Sequence, residues 1–144
     1  MGRNRFFPRR KEISPLHQCA IIEREYKSLV VSRNNNANCC YIVLVIQPTE
    51  IMRKYQVRIS FQRGKTPKIN VIKPNIAEEN KIKPPHTFNH KEGEICLFLP
   101  EEFSIYYSNS ADIVPWISEW LFFYEIWKTT GVWKGRGHEF PNEE

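Results

Sequence analysis

One segment of the chain alternates hydrophobic and polar residues, with the apolar side chains at Tyr55, Val57, Ile59 and Phe61. This period of two predicts a β-strand with one buried face, because successive strand residues point to opposite sides of a sheet. The β-branched and aromatic run at 39–47 predicts a buried strand, and further strands are expected at 68–73 and 29–32. Because short polar turns separate these segments, we expect an antiparallel meander of about four strands.

Helical spacing is found at both ends of this meander. Ser14 can cap a helix that begins at Pro15, because proline is tolerated at the first helical position, and this helix is predicted at about 15–27. Its expected apolar face carries Leu16, Cys19, Ala20, Glu23 and Tyr26. The segment between Asp112 and Gly131 carries the strongest helical pattern of the chain, since Asp112 can cap a helix there and Gly131 can end it.

Two stripes of large apolar residues run along this last helix. They consist of Trp116, Trp120, Phe123 and Trp127, and of Ile113, Ile117, Leu121 and Tyr124. A stacking surface for bases or a hydrophobic ligand is one reading of so many aromatic rings. A stripe that follows the helical period is more typical of a face packed on a core, so we expect this helix to cover the sheet.

Helices that precede and follow a run of strands predict an α+β fold, with no internal repeat and no second domain. The polar, proline-containing stretch at 74–91 lacks periodicity, and a long structureless connection of this kind is usually functional or disordered. We divide the chain into a basic flexible arm at 1–13, one domain at 14–138 and a polar tail at 139–144.

Composition and charge narrow the functional classes. The 144 residues are 41% hydrophobic and 26% charged, which is ordinary for a globular domain. Much of the net charge of +5 lies in the arm, which holds five of the 21 basic residues, and a nucleic-acid binder would more often carry a basic stripe through its fold. No apolar run reaches the ~20 residues that span a bilayer, and no signal-peptide core is visible, so we expect no membrane association and a cytoplasmic location.

The four cysteines are the main candidates for chemistry: Cys19, Cys39, Cys40 and Cys96. None forms a C-x-x-C pair, which disfavours a zinc ribbon, and we expect no metal and no other cofactor. The first three fall on a helix face or within a strand and are interpreted as structural. Cys96 follows the irregular stretch and Gly93, where a turn can present a thiol at a groove. Position alone does not separate a nucleophile from a small buried hydrophobe.

Two local patterns resemble a known family. The stretch at 93–97, Gly-Glu-Ile-Cys-Leu, is similar to the Gly-x-Ile-Cys-Leu around the active-site cysteine of ubiquitin-conjugating enzymes, and His86 lies where that family usually carries the His of a His-Pro-Asn motif. Residues 115–133 resemble the WL-x-x-YE-x-W-x-x-TG-x-W helix of bacterial ubiquitin-conjugating-enzyme-like proteins. Those proteins are encoded beside cGAS-like nucleotidyltransferases in antiphage CBASS operons. The resemblance covers roughly residues 14–138.

The resemblance implies a transferase of the ubiquitin-conjugating (E2) type. Cys96 would carry the C-terminus of a partner as a thioester and pass it to a target, and the implied partner is the cGAS-like nucleotidyltransferase. The chain has no phosphate-cradling Gly-rich loop, so we expect another protein, or the partner's own end, to supply the activated acyl group.

The chain departs from the eukaryotic motif after His86, where Thr87 and Phe88 replace Pro-Asn. The missing Asn leaves several candidates for supporting the thioester oxyanion: His86, Asn89, His90 and backbone N–H groups. A non-catalytic protein-binding module with the same fold is the main alternative. A metal site built from the two histidines and Cys96 lacks diagnostic spacing, and nucleic-acid binding would depend on the arm alone.

Overall fold

The computed structural model describes residues 11–135 of the chain. The predicted polar tail and most of the predicted basic arm lie outside the described residues. The last part of the arm contacts the domain: the Ile13 amide donates to the Ile105 carbonyl at 2.7 Å, and the Glu12 carboxylate accepts from the Gly64 amide at 2.8 Å.

A six-stranded antiparallel sheet forms the centre of the α+β fold. Its strands are β1 (Val30–Arg33), β2 (Cys39–Ile46), β3 (Tyr55–Gln62), β4 (Lys68–Lys73), β5 (Thr87–Asn89) and β6 (Glu94–Ile95). Their order across the sheet is β1-β2-β3-β4-β6-β5. The predicted meander of about four strands is present as β1 to β4, and the sheet continues with two strands that the sequence did not predict.

Within residues 11–135, three α-helices accompany the sheet: α1 (Pro15–Glu25), α2 (Ile76–Glu79) and α3 (Ile113–Thr130). Short 3-10 turns lie at Lys27–Leu29, Pro100–Glu102 and Ser110–Asp112. Helix α1 ends two residues before the predicted limit, and the Ser14 side chain caps it by accepting from the His17 amide at 3.1 Å. No helix in the described part of the chain is long and apolar enough to cross a bilayer.

The core lies between one face of the sheet and helices α1 and α3. The alternation predicted for β3 is confirmed, because the four apolar residues of that strand are buried and lie directly opposite buried residues of β2. Those pairs are Cys40 with Phe61, Ile42 with Ile59, Leu44 with Val57, and Ile46 with Tyr55.

The predicted apolar face of α1 is wrong in detail. The buried residues are Pro15, Gln18, Cys19 and Ile22. Ala20 is exposed and Glu23 only half-buried, so the buried face is rotated from the predicted one. Glu23 instead accepts a hydrogen bond from Arg33 of β1 at 2.9 Å, which places its carboxylate at the edge of the core rather than within it.

The two stripes of α3 have different surroundings. The stripe of Ile113, Ile117, Leu121 and Tyr124 is fully buried in the core, as predicted. The other stripe is unevenly buried: Trp116 is 38% exposed, whereas Trp120 belongs to the core and Trp127 packs against it. Trp116, Trp120 and Phe123 also line a cavity. The helix ends at Gly131, which adopts the left-handed conformation (φ +78°), as predicted. Asp112 occupies the cap position but makes no capping hydrogen bond to the described residues, which corrects the prediction of an Asp cap.

The stretch predicted to be structureless contains regular elements. Asn75 caps α2 by accepting from the Glu78 amide at 3.2 Å, and β5 follows eight residues later. These two elements are four and three residues long, too short for a periodic pattern. Their significance is positional, because β5 and β6 bring the residues around His86 and Cys96 together at the edge of the sheet.

Candidate functional site

Cys96 directly follows β6, and the backbone around it is fixed by close contacts. Its amide donates to the His86 carbonyl at 2.8 Å, which extends the β5–β6 pairing by one step. Gly93, just before β6, has φ +68°, and a Cβ there would lie 2.5 Å from the Val71 carbonyl oxygen. Only glycine fits this approach, so the predicted special role of Gly93 is confirmed.

The Cys96 side chain is 5% exposed and lines a cavity of about 350 Å³. Its Sγ lies 3.8 Å from the Phe98 carbonyl oxygen, a weak S–H···O contact. The cavity walls are largely aromatic, with carboxylates and a histidine among them: Phe98, Trp116, Trp120, Phe123, Trp133, Glu102, Glu119 and His86. The thiol therefore lines a concave surface, where the sequence suggested a groove, but it is recessed in the wall.

The structure places the three candidate supporting residues differently. The His86 ring lines the cavity with Cys96 and packs edge-on against Trp133, with ring centroids 5.3 Å apart. The Asn89 side chain is bonded within its own turn, donating to the Glu92 carboxylate at 2.8 Å. His90 Nε2 lies 3.1 Å from the Asn80 carbonyl oxygen. The fold thus brings His86 to the cavity of the thiol, whereas the side chains of Asn89 and His90 are hydrogen-bonded to other residues.

Other cysteines are in different environments. Burial raises the pKa of the Cys19 thiol far above its ordinary value, and the neighbouring Cys40 adds to this effect, so the Cys19 thiol resists ionisation in the core. Cys40 Sγ also donates to the Asn34 carbonyl. Cys39 lies in β2 as predicted, but it points to the opposite side of the strand from Cys40 and is exposed.

The aromatic wall of the cavity was missed at the sequence level. Trp116, Trp120 and Phe123 belong to the α3 stripe that the helical period assigned to the core. Trp120 is buried, but its indole Nε1 donates to the His86 carbonyl at 3.2 Å, which links α3 to the residue that holds the Cys96 amide. No periodicity distinguishes a helix face that lines a cavity from one that fills a core.

Metal-binding chemistry finds no support in the geometry. Within residues 11–135, no three His, Cys, Asp or Glu side chains are grouped closely enough to hold a metal ion. The alternative that combined both histidines with Cys96 also conflicts with the placement of His90, whose ring is engaged by Asn80.

An N-terminal helix, an antiparallel meander, an irregular segment that ends in a cavity cysteine, and a covering helix together define a protein of the ubiquitin-conjugating-enzyme-like class. Residues 18–140 match the family model described as Type II CBASS E2 protein. The match covers most of the chain, which therefore belongs to the type II CBASS E2 family and has an E2-like role in CBASS antiphage defence. A comparison with curated proteins finds no match.

Proposed function

We propose that this protein is a transferase that carries the C-terminal acyl group of a partner protein as a thioester on Cys96. The observation that carries the proposal is the position of the Cys96 thiol, which lies in a cavity immediately after β6 and beside His86. A thiolate is a good nucleophile and a good leaving group, so a thioester at this position keeps the acyl group reactive toward an amine.

The reaction would take place in two steps. In the first, the Cys96 thiolate attacks the activated carbonyl carbon of the partner's last residue, the C–S bond forms, and the bond from that carbon to its leaving group breaks. In the second, an amine of the target attacks the same carbon, the C–N bond forms, and the C–S bond breaks to return the thiolate, with the amine proton passing to a base or to solvent. Activation of the acyl group belongs to another protein or to the partner's own end.

The partner in this proposal is the cGAS-like nucleotidyltransferase of a CBASS operon. Support comes from the family match, because type II CBASS E2 proteins belong to operons of this defence system. His86 is the side chain placed to assist the thiol, since it shares the cavity with Cys96. Asn89 and His90 stay candidates only if their loops rearrange, because their side chains are hydrogen-bonded elsewhere.

Co-expression with the nucleotidyltransferase and all other proteins encoded in the same operon tests the proposal, because the activating protein then has to be present. The wild type should form an adduct that thiol reductants release, and mass spectrometry should place the partner's C-terminal residue on Cys96. Cys96→Ser should trap an oxyester that resists reductant, and Cys96→Ala should form no adduct. The matched control is Cys39→Ala, which removes the exposed thiol and should leave the adduct unchanged. Adduct formation at the wild-type level by Cys96→Ala, or none by wild type, would refute the assignment.

A non-catalytic binding module with the same fold is favoured by two observations. Cys96 is 5% exposed, and Thr87-Phe88 replaces the Pro-Asn of the eukaryotic motif. This alternative predicts that wild type and Cys96→Ala bind the nucleotidyltransferase equally well and that neither forms a covalent adduct. Binding affinities of wild type and Cys96→Ala, measured beside the adduct assay, separate the two functions.

A further inference from the structure

The segment that follows α3 forms one wall of the Cys96 cavity. We refer to residues 131–135 as the C-terminal strap. The Gly131 amide donates to the Trp127 carbonyl at 2.7 Å in the left-handed cap, and the Val132 amide donates to the Thr130 hydroxyl at 3.1 Å. These two bonds fix the direction in which the strap leaves the helix.

Trp133 is the residue of the strap that reaches across the cavity. Its ring lies 5.3 Å from the His86 ring, 5.5 Å from the Trp120 ring and 6.3 Å from the Phe123 ring, measured between centroids. These spacings are those of favourable edge-to-face or tilted aromatic pairs. One indole therefore joins the sheet edge, through His86, to Trp120 and Phe123 of α3.

Gly135 holds the strap close to the helix. A Cβ at this position would lie 2.4 Å from Cδ2 of Phe123 and 2.5 Å from its Cγ. Real Cβ atoms do not approach this closely, so any other residue would push the strap away from Phe123. The close approach provides a way to displace the strap without removing the indole.

His86 connects the strap to the thiol. Its backbone is in the left-handed region at φ +55°, which is uncommon for a residue other than glycine and has to be held by its surroundings. In this conformation its carbonyl accepts from the Cys96 amide at 2.8 Å and from the Trp120 indole at 3.2 Å. Rotation of His86 out of this conformation would break both bonds and release the backbone of Cys96.

We propose that Trp133 is a positioning residue for Cys96, which acts by closing the cavity and by holding His86 in the conformation that binds the Cys96 amide. The expected effect of Trp133 on adduct formation rests on the proposed thioester function, whereas its expected effect on the accessibility of the Cys96 thiol does not. Loss of the indole should open the cavity, expose the sulfur and alter its surroundings. The reactive thiol would then be more accessible to small reagents and less well placed for the partner's carbonyl carbon.

The test measures the reaction of Cys96 with iodoacetamide between pH 6 and 9, in a Cys39→Ser background that removes the exposed thiol. Trp133→Ala should raise the pH-independent alkylation rate constant at least tenfold. It should also shift the midpoint of the curve of alkylation rate against pH. Trp133→Phe, which keeps a ring, should restore both toward wild type. The control Val132→Ala changes a strap residue that is 55% exposed and should leave both unchanged.

Gly135→Ala keeps the indole but moves the strap, so it should raise the alkylation rate severalfold and carries the test if Trp133→Ala does not fold. Circular dichroism identifies the folded variants. Alkylation of Trp133→Ala or Gly135→Ala within twofold of wild type, with an unchanged pH profile, would overturn the proposal. Because alkylation needs no partner, absence of an adduct in wild type would refute the proposed function alone. A normal adduct rate together with unaltered alkylation in the folded variants would refute the role of Trp133 alone.

Discussion

Glu79, at the end of α2, joins three elements of the fold, and we predict that Glu79→Gln lowers the free energy of unfolding by about 2 kcal/mol at pH 7. The carboxylate accepts two hydrogen bonds from the Arg53 guanidinium, one of them at 2.7 Å. It accepts a third from the Tyr124 hydroxyl of α3 at 2.9 Å, and the Lys128 ammonium lies 3.3 Å away. Glutamine keeps the shape of the side chain but removes its charge.

The magnitude follows from the pKa of Glu79. Burial acts to raise this pKa, but hydrogen bonds from Arg53 and Tyr124, with the charges of Arg53 and Lys128, lower it from 4.5 to about 2. At about 1.4 kcal/mol per pKa unit, this displacement corresponds to roughly 3 kcal/mol of stabilisation. The Arg53 side chain is 37% exposed, so solvent screening reduces the expected value to about 2 kcal/mol.

The sign of the pH dependence follows from the lowered pKa. A carboxyl group whose pKa is lower in the folded state than in the unfolded state stabilises the fold above its unfolded pKa. The contribution of Glu79 is therefore complete above pH 4.5 and is lost as the pH falls toward 2. Glu79→Gln lacks this contribution at every pH, so the difference in stability between wild type and variant should shrink over that range.

Urea denaturation of both proteins at pH 7, 5, 4 and 3 provides the measurement. The matched control is Glu78→Gln, which makes the same change of charge at the neighbouring, exposed residue of the same helix and should change stability by less than about 0.5 kcal/mol. If the difference between wild type and Glu79→Gln stays constant from pH 7 to pH 3, the carboxylate does not stabilise the fold by its charge, and the reasoning is refuted.

Three further predictions concern the elements that hold the site. In urea denaturation, Gly93→Ala should lower the free energy of unfolding by at least 2 kcal/mol more than Gly64→Ala. Both glycines are left-handed, but only a Cβ at position 93 would meet the Val71 carbonyl. Equal losses of stability in the two variants would contradict this close approach. Ser14→Ala should lower stability by about 1 kcal/mol through loss of the α1 cap, whereas Ser14→Asp should keep it. Ile117→Ala, at a fully buried position of α3, should cost about 2–5 kcal/mol; a loss below 1 kcal/mol would mean that α3 does not cover the core.

Much of the architecture was predictable because it depends on local pattern. The strict alternation at Tyr55 to Phe61 specifies which face of β3 is buried, and the four residues at helical spacing between Ile113 and Tyr124 specify the buried face of α3. The positions of Ser14 and Gly131 at helix ends were also predictable, since capping requires particular residue types.

The remaining elements of the fold depend on partners distant in the chain. Strands β5 and β6 are three and two residues long and exist because β6 pairs with the edge of β4 and β5 pairs with β6, an arrangement that no local pattern contains. The buried face of α1 was mispredicted for a related reason. Gln18 is buried there, and its backbone carbonyl accepts from the buried Ser110 hydroxyl at 2.8 Å, a contact 92 positions away in the chain.

The sequence by itself determined the α+β class, the buried faces of β3 and α3 and the singling out of Cys96, because these follow from residue spacing and from the motif around Gly93. Only the tertiary structure decided what surrounds the thiol. It brought His86 and Trp133 to the cavity of Cys96 and engaged the side chains of Asn89 and His90 in hydrogen bonds with other residues. The physical reason is that a cavity is made by side chains from separate segments, and their distances are set by packing rather than by spacing along the chain.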